Sequence, residues 1–494
     1  MSRTESTAAP ADPTADATLL RPDRVGPARH RQRAGVPGGR RRGVATAVTG
    51  SLLSIAALVV LLPRASAAPD PVVCGADAVQ AEAIAGLADF SSWLASHQVA
   101  GYVGEVGWPS GADGPQWDAV AEVWYRAADR VGLPVTAWAA ARWPASYRMG
   151  LYRAAAGSAA LDTVGPQSVV VEAHLSDRRA LRGVVLAGGS FGTSSGSPQY
   201  SATNPGRYGH DYSYENRAGY QFLAARGVRL VRLAVAWERV QPRPGGPLSA
   251  GEVGRLRRAV LDASAAGLTV ILDLHGYGEF VLDSSPSART VLALGSPRLP
   301  TAALADFWSR MARATQDLPG LLGYDLLNEP ARLASRGAQG TRRWEQASQE
   351  AVDAIRATGN RLPVFVSAYG QTSAAGWSRN HDRPWINDPA GRTVYEAHVY
   401  FDADGSGRYA DTYSGALSAA RSADLPRCQR LPDLSALHAR ALGRSTWWRS
   451  PARWFGASDA PPARMRAGSD LARTPTTRTS AARAGAGFTH EGRQ

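Results

Sequence analysis

Apolar residues Ile84, Leu87, Phe90 and Leu94 fall on one stripe at helical spacing and predict an amphipathic helix over 78–97. A short apolar run, 101–106, follows and reads as a strand. Val120, Val123, Trp124 and Ala127 then mark a helix over 117–131, and residues 134–140 form a second apolar strand. Residues 144–180 are less regular and suggest one short helix around Leu151. From Leu181 the alternation resumes. Strands are expected at 183–187, 228–235, 269–274, 323–327, 363–367 and 393–397. Helices are expected at 217–226, 250–266, 301–316 and 343–358, and a last one from about 411 that fades by 424. Gly227 and Gly267 stand where a helix would stop.

Two strands before residue 141 and six after 181 make eight, each joined to the next by a segment that is or could be helical. Alternating βα units predict a parallel sheet, and eight predict a closed (β/α)8, or TIM, barrel. The expected organisation is therefore a signal or anchor region at 1–67, a two-strand section at 68–155, a connector at 156–180, a six-strand section at 181–426 and a basic low-complexity tail at 427–494.

Charge changes this picture only at the ends. The formal net charge is +13. The first 64 residues hold 10 Arg against 4 acids, and residues 427–494 hold 12 Arg against 4 acids. The stretch between is close to neutral, and the chain has no Lys, so a nucleic-acid partner is not expected. Arg40-Arg41-Arg42, an apolar stretch from Val44 to Leu62 and Ala65-Ser66-Ala67 form an export-signal pattern. If left uncleaved, that stretch is long enough to anchor the protein in a membrane. The residues before the arginines and the tail are expected to be disordered. Trp447, Trp448, Trp454 and Phe455 form a small aromatic group in that tail. Cys74 and Cys428 have no metal-site spacing; one disulfide or two free thiols are open.

The candidate chemistry sits at strand ends. The run Leu321-Leu322-Gly323-Tyr324-Asp325-Leu326-Leu327 stops at Asn328-Glu329-Pro330, and Gly101-Tyr102-Val103-Gly104 stops at Glu105. A glutamate at a strand end, read singly, is ordinarily a solvated or ion-paired residue. Arg229-Leu230-Val231-Arg232-Leu233, Asp273-Leu274-His275 and Tyr395-Glu396-Ala397-His398-Val399-Tyr400 up to Gly407 add further marks. Together these resemble the family 5 glycoside hydrolases, the cellulase family, over roughly 90–155 and 181–422.

The resemblance implies a retaining β-1,4-glucan hydrolase, endoglucanase-like, with a polysaccharide substrate and neither metal nor organic cofactor. Glu329 would be the acid/base and Glu105 the nucleophile, about 5–5.5 Å apart. Asn328 would bind the sugar 2-hydroxyl. Arg232 and Tyr400 would hold Glu105 ionised. His275 and His398 would line the subsite, and Trp138 would lie under the sugar ring. Glu238 and Glu396 are read as structural. The chain departs from the family at Gly276, where members usually carry Asn.

One order is reversed. In the family the Asn-Glu-Pro strand precedes the Gly-Glu-x-Gly strand, whereas here Glu105 comes first. A circularly permuted barrel, strands seven and eight first and then one to six, explains this. Its ends would lie near Cys74 and Cys428, which a disulfide would then staple. The protein is expected to be secreted and monomeric. The alternative is a truncated or frameshifted inactive barrel, at most a carbohydrate-binding protein.

Overall fold

The computed structural model describes residues 72–442, except 177–179, 194–199, 286 and 423–424. The export-signal pattern and the aromatic group of the tail lie outside the described residues. No helix among the described residues is long and apolar enough to cross a membrane.

Among the described residues, eight parallel strands close into a barrel: β1 (Ala100–Gly107), β2 (Val135–Ala140), β3 (Arg182–Leu186), β4 (Leu230–Val235), β5 (Thr269–Leu274), β6 (Leu321–Asp325), β7 (Val364–Ser367) and β8 (Thr393–Tyr400). Neighbours around the barrel follow chain order, and β1 closes it by pairing with both β2 and β8. The helices around it are α1 (Ala78–His97), α2 (Gly114–Val131), α3 (Ser168–His174), α4 (Arg217–Ala225), α5 (Ala250–Ala265), α6 (Ala302–Thr315), α7 (Gly337–Arg356) and α8 (Tyr413–Arg421), with α9 (Ser435–Ala441) last. Local chemistry sets several of these starts. Asp77 caps α1 by accepting from Gln80 N, Asn216 caps α4 and Ser249 caps α5.

The eight strands thus stand where the hydrophobic pattern placed them. Two local expectations fail, and one hairpin was not expected. No helix forms around Leu151. Its N–H is taken by Ala139 O at 2.9 Å, which holds it extended, and the connector's helix is α3. An antiparallel hairpin, Glu279–Asp283 with Thr290–Ala293, extends the β5 loop and carried no clear alternation in the sequence. Helix α7 starts at Gly337, earlier than expected, because its first turn has no large apolar residue to mark it.

The tail expected from 427 is also corrected over its first part. Cys428–Arg430 pairs antiparallel with Val72–Cys74, and a disulfide joins Cys74 to Cys428. Leu431, Leu434, Leu437, Ala441 and Leu442 are then buried. Leu434 N donates to Val131 O at 2.9 Å, and His438 Nδ1 lies 2.9 Å from Gly132 O. Gly132 ends α2 with φ 71°, and a Cβ there would lie 2.4 Å from Ser435 Oγ, so only glycine serves both needs. Ala441 and Leu442 cover the lower mouth of the barrel, against Ala100, Leu230, Ile271, Phe365 and Val394.

Alternation inside the strands builds layers. One position above that apolar layer, on the same inward face, stand Arg232, Asp273, Asp325, Ser367 and Glu396, all fully buried. The barrel therefore carries a polar layer between its apolar floor and its rim.

Candidate active site

The rim above the polar layer brings Glu105 and Glu329 together. Register explains how Glu105 is aimed. Ala397 pairs with Val103 but His398 pairs with Glu105, so β1 bulges at Gly104. A Cβ on Gly104 would lie 1.6 Å from Glu396 Oε1, so glycine is required there. Beyond the end of β6, Glu329 adopts φ 42°, in the left-handed region. A residue before proline resists that conformation, so Glu329 stores strain on the order of 1–3 kcal/mol.

Glu105 is 3% exposed. Its Oε1 accepts from Arg232 Nη1 at 2.8 Å and its Oε2 accepts from Tyr400 Oη at 2.6 Å. Glu329 Oε1 lies 2.8 Å from His398 Nδ1, and the same nitrogen is 3.7 Å from Glu105 Oε2. One oxygen of each glutamate and one nitrogen of His398 all lie within 4.8 Å of one another. Among the described residues this is the one such trio compact enough to close around a cation, yet its atoms already have protein partners.

Arg232 anchors the arrangement. It donates from Nε to Asp325 Oδ2 at 2.8 Å and from Nη2 to Asn328 Oδ1 at 3.0 Å. Its Nη1 is 3.2 Å from Asp273 Oδ2 and its Nη2 is 3.2 Å from Glu396 Oε1. One guanidinium thus faces four carboxyl groups.

His398 is wholly enclosed. Burial disfavours its charged form, but the Glu105 charge and hydrogen bonds to Glu329 and Glu396 win, raising its pKa to about 10. Burial first, and then Glu105, keep the Tyr400 phenol protonated as a donor. His275 Nδ1 lies 2.7 Å from Asp273 Oδ2; a carboxylate only accepts, so this nitrogen carries the proton. Trp138 stacks on His275 with ring centroids 5.6 Å apart, and its Nε1 donates to Tyr147 Oη at 2.8 Å. The structure thus gathers all eight expected residues: Glu105, Glu329, Asn328, Arg232, His275, His398, Tyr400 and Trp138. Glu238 stands apart from them, accepting from Val281 N at 2.7 Å.

Sequence reasoning missed the aromatic wall of Trp143, Tyr147 and Phe191 beside Trp138. It also passed over Asp273 and Asp325. A signal existed: lone charges stand inside apolar strands, with Asp273 two positions before His275 and Glu396 two before His398. A pocket of about 280 Å³ opens beside His398 and Tyr400 and runs past Ser373 and Asp404 toward Glu82 on α1.

The family model for Cellulase (glycosyl hydrolase family 5) matches residues 190–427. That span holds Arg232, His275, Asn328, Glu329, His398 and Tyr400 but neither Glu105 nor Trp138. Endo-beta-1,4-glucanase B of Emericella nidulans is 26% identical over 244 residues, covering 48% of this chain and 65% of that protein. Endoglucanase gh5-1 of Neurospora crassa is 27% identical over 228 residues, 46% of this chain and 51% of the relative. The chain thus spans about half to two thirds of the length of these relatives. Among solved structures, Pseudomonas stutzeri endoglucanase Cel5A is 33% identical, covering 49% of this chain and 70% of that one, with TM-score 0.41. By the family match over 190–427 and the sequence shared with the curated glucanases, the chain belongs to glycosyl hydrolase family 5, the cellulase family.

Proposed function

We propose that the protein hydrolyses β-1,4-glucan, endoglucanase-like, with retention of configuration. The observation that carries this reading is the approach of Glu105 and Glu329 to within 4.8 Å through one oxygen each. Inversion needs room for a water, with carboxyls about 6.5–9.5 Å apart, whereas a nucleophilic carboxylate works at about 5–5.5 Å.

Glu105 attacks the anomeric carbon while Glu329 protonates the departing glycosidic oxygen, which leaves a glycosyl-enzyme ester. Glu329, now a carboxylate, takes a proton from water as that water attacks the same carbon and releases Glu105. Arg232 and Tyr400 keep Glu105 ionised and oriented. Asn328, its Oδ1 held by Arg232, has its Nδ2 left to meet a sugar hydroxyl. Trp138 and its aromatic neighbours offer a ring-stacking wall.

Glu105→Gln and Glu329→Gln should each lower reducing-sugar release from carboxymethylcellulose by about 10²–10⁴-fold with folding intact. Full activity in either variant would refute the assignment.

Circular permutation accounts for the motif order and for a family match that begins only after β3. The paired end strands and the disulfide stand where a continuous chain would run from α8 to α1. Lack of any similarity between residues 72–155 and the C-terminal part of a family member would remove this account. The export pattern and the disulfide support secretion. N-terminal sequencing of protein from culture medium should begin near residue 68; recovery only from membranes with residues 1–67 attached would indicate an anchor.

A further inference from the structure

Beneath the two glutamates lies a layer of charge that the proposed reaction does not touch. Asp325 Oδ1 is buried with no N–H or O–H donor directed at it. Asp325 and Glu396 share Arg232, whose Nε lies 2.8 Å from Asp325 Oδ2 and whose Nη2 lies 3.2 Å from Glu396 Oε1. Burial and then the Glu396 charge push Asp325 well above the usual carboxylate range. Glu396 resists the same burial, because Arg232 and then His398 pull it down to about 2. Asp325 therefore carries the proton and Glu396 the charge.

Glu396 passes that charge on. Its Oε1 lies 3.3 Å from His398 Nε2, while the other ring nitrogen, Nδ1, lies 2.8 Å from Glu329. Ser367 Oγ donates to Glu396 Oε2 at 3.1 Å, and the bulge at Gly104 leaves room for the carboxylate. The imidazole is thus a bridge between the acid at the rim and the buried pair below.

We propose that Glu396 sets the proton affinity of the His398–Glu329 pair and is a positioning residue for the acid–base step. This rests on Glu329 being the acid/base. At rest the Nδ1 proton of the imidazolium faces Glu329. As the glycosidic bond breaks, that proton crosses to Glu329 Oε1 and on to the leaving oxygen. His398 is then neutral, and its remaining N–H on Nε2 is still donated to Glu396. When water attacks, its proton returns through Glu329 to Nδ1, and its hydroxyl stays on the sugar. One proton leaves and one returns.

Among the described residues, Tyr102 from β1, Arg232 from β4 and Asp273 from β5, itself bonded to His275, face the buried Glu396 and Asp325, and Glu105 from β1 lies 3.7 Å from His398 Nδ1. Tyr277 and Tyr400 face the two rim glutamates. Among the described residues, only Glu329 and Glu396 hydrogen-bond the ring of His398.

The test is kcat and KM against pH on soluble β-1,4-glucan for wild type, Glu396→Gln and Asp325→Asn, with melting recorded. Removing the Glu396 charge weakens the hold on the proton, so the alkaline limb of kcat/KM should fall by about one pH unit or more. That is about tenfold in rate on the alkaline side, with KM changed by less than about twofold. Asp325→Asn keeps a neutral side chain next to Arg232 and should move the limb by less than half as much. A limb that stays put in folded Glu396→Gln, or moves further in Asp325→Asn, overturns the proposal while the reaction stands. Full activity in Glu329→Gln overturns the reaction itself. Should Glu396→Gln not fold, ¹⁵N shifts of His398 in the wild-type protein decide. Both ring nitrogens protonated at about pH 8 support the proposal, and a neutral ring at about pH 7 refutes it.

Discussion

The two mouths of this barrel are built from the same strands and have opposite chemistry. At the lower mouth, Leu230, Ile271, Phe365 and Val394 meet Ala441 and Leu442 of the C-terminal segment. Two residues further along the same strands stand Arg232, Asp273, Ser367 and Glu396, and above them Glu105, Glu329 and His398. A period of two in the strand keeps both sets facing inward. The apolar floor keeps water from the charges above it, so each ion pair there acts through a poor dielectric. The contrast teaches that the floor is part of the site's electrostatics, although no floor residue touches the candidate acid or nucleophile.

The hardest way to break the contrast is to remove the cation. Arg232→Met leaves the carboxyls around it without compensation, and loss of one partner from a buried charge cluster costs about 3–5 kcal/mol. Denaturant melts should show a loss of that size together with collapse of glucan hydrolysis; an unchanged midpoint would mean the carboxyls hold protons instead of leaning on Arg232. The closure at the chain ends comes next. The Cys74–Cys428 bridge spans 354 residues, and replacing both cysteines by serine should cost about 2–4 kcal/mol. Turnover well below the melting temperature should be kept, and a large loss of kcat there would tie the ends to the rim.

The mildest test uses pH. Burial pushes the His438 imidazole beneath the barrel down to about 4, against an ordinary value of 6.5. The unfolded chain binds that proton first, so this stability is present above about pH 6.5 and lost as pH falls through about 4. By about pH 5 the loss should be about 1–2 kcal/mol. His381, also pushed down by burial to about 4, adds a term of the same sign; His438→Gln isolates the floor by flattening part of the acid slope in thermal melts. An acid slope identical to wild type would show that His438 is not enclosed. At the rim the sign reverses. His398 is raised to about 10, so its contribution is complete below about pH 6.5 and is lost as pH rises through about 10. Acid loosens the floor and alkali loosens the rim.

Much of this architecture was legible in the hydrophobic pattern. The spacing of Ile84, Leu87, Phe90 and Leu94 marked α1 over the span it occupies, and the strand-ending motifs named the rim residues. What escaped notice was short or polar. Helix α9 has only seven residues, so its apolar stripe of Leu437 and Ala441, after Leu434 at its start, was too brief to register as a period. The inner charges were visible as lone Asp273, Asp325 and Glu396 inside apolar runs, but a strand does not reveal which neighbour will meet its charge.

By itself the sequence determined the alternation of strands and helices and which strand positions are charged, because both follow from local periodicity and from side-chain chemistry. Only the tertiary structure decided the register that sets Glu105 beside His398 and within reach of Glu329. That placement depends on barrel closure, on the bulge at Gly104 and on the register of β8. These are relations between segments far apart in the chain, and no local pattern encodes them.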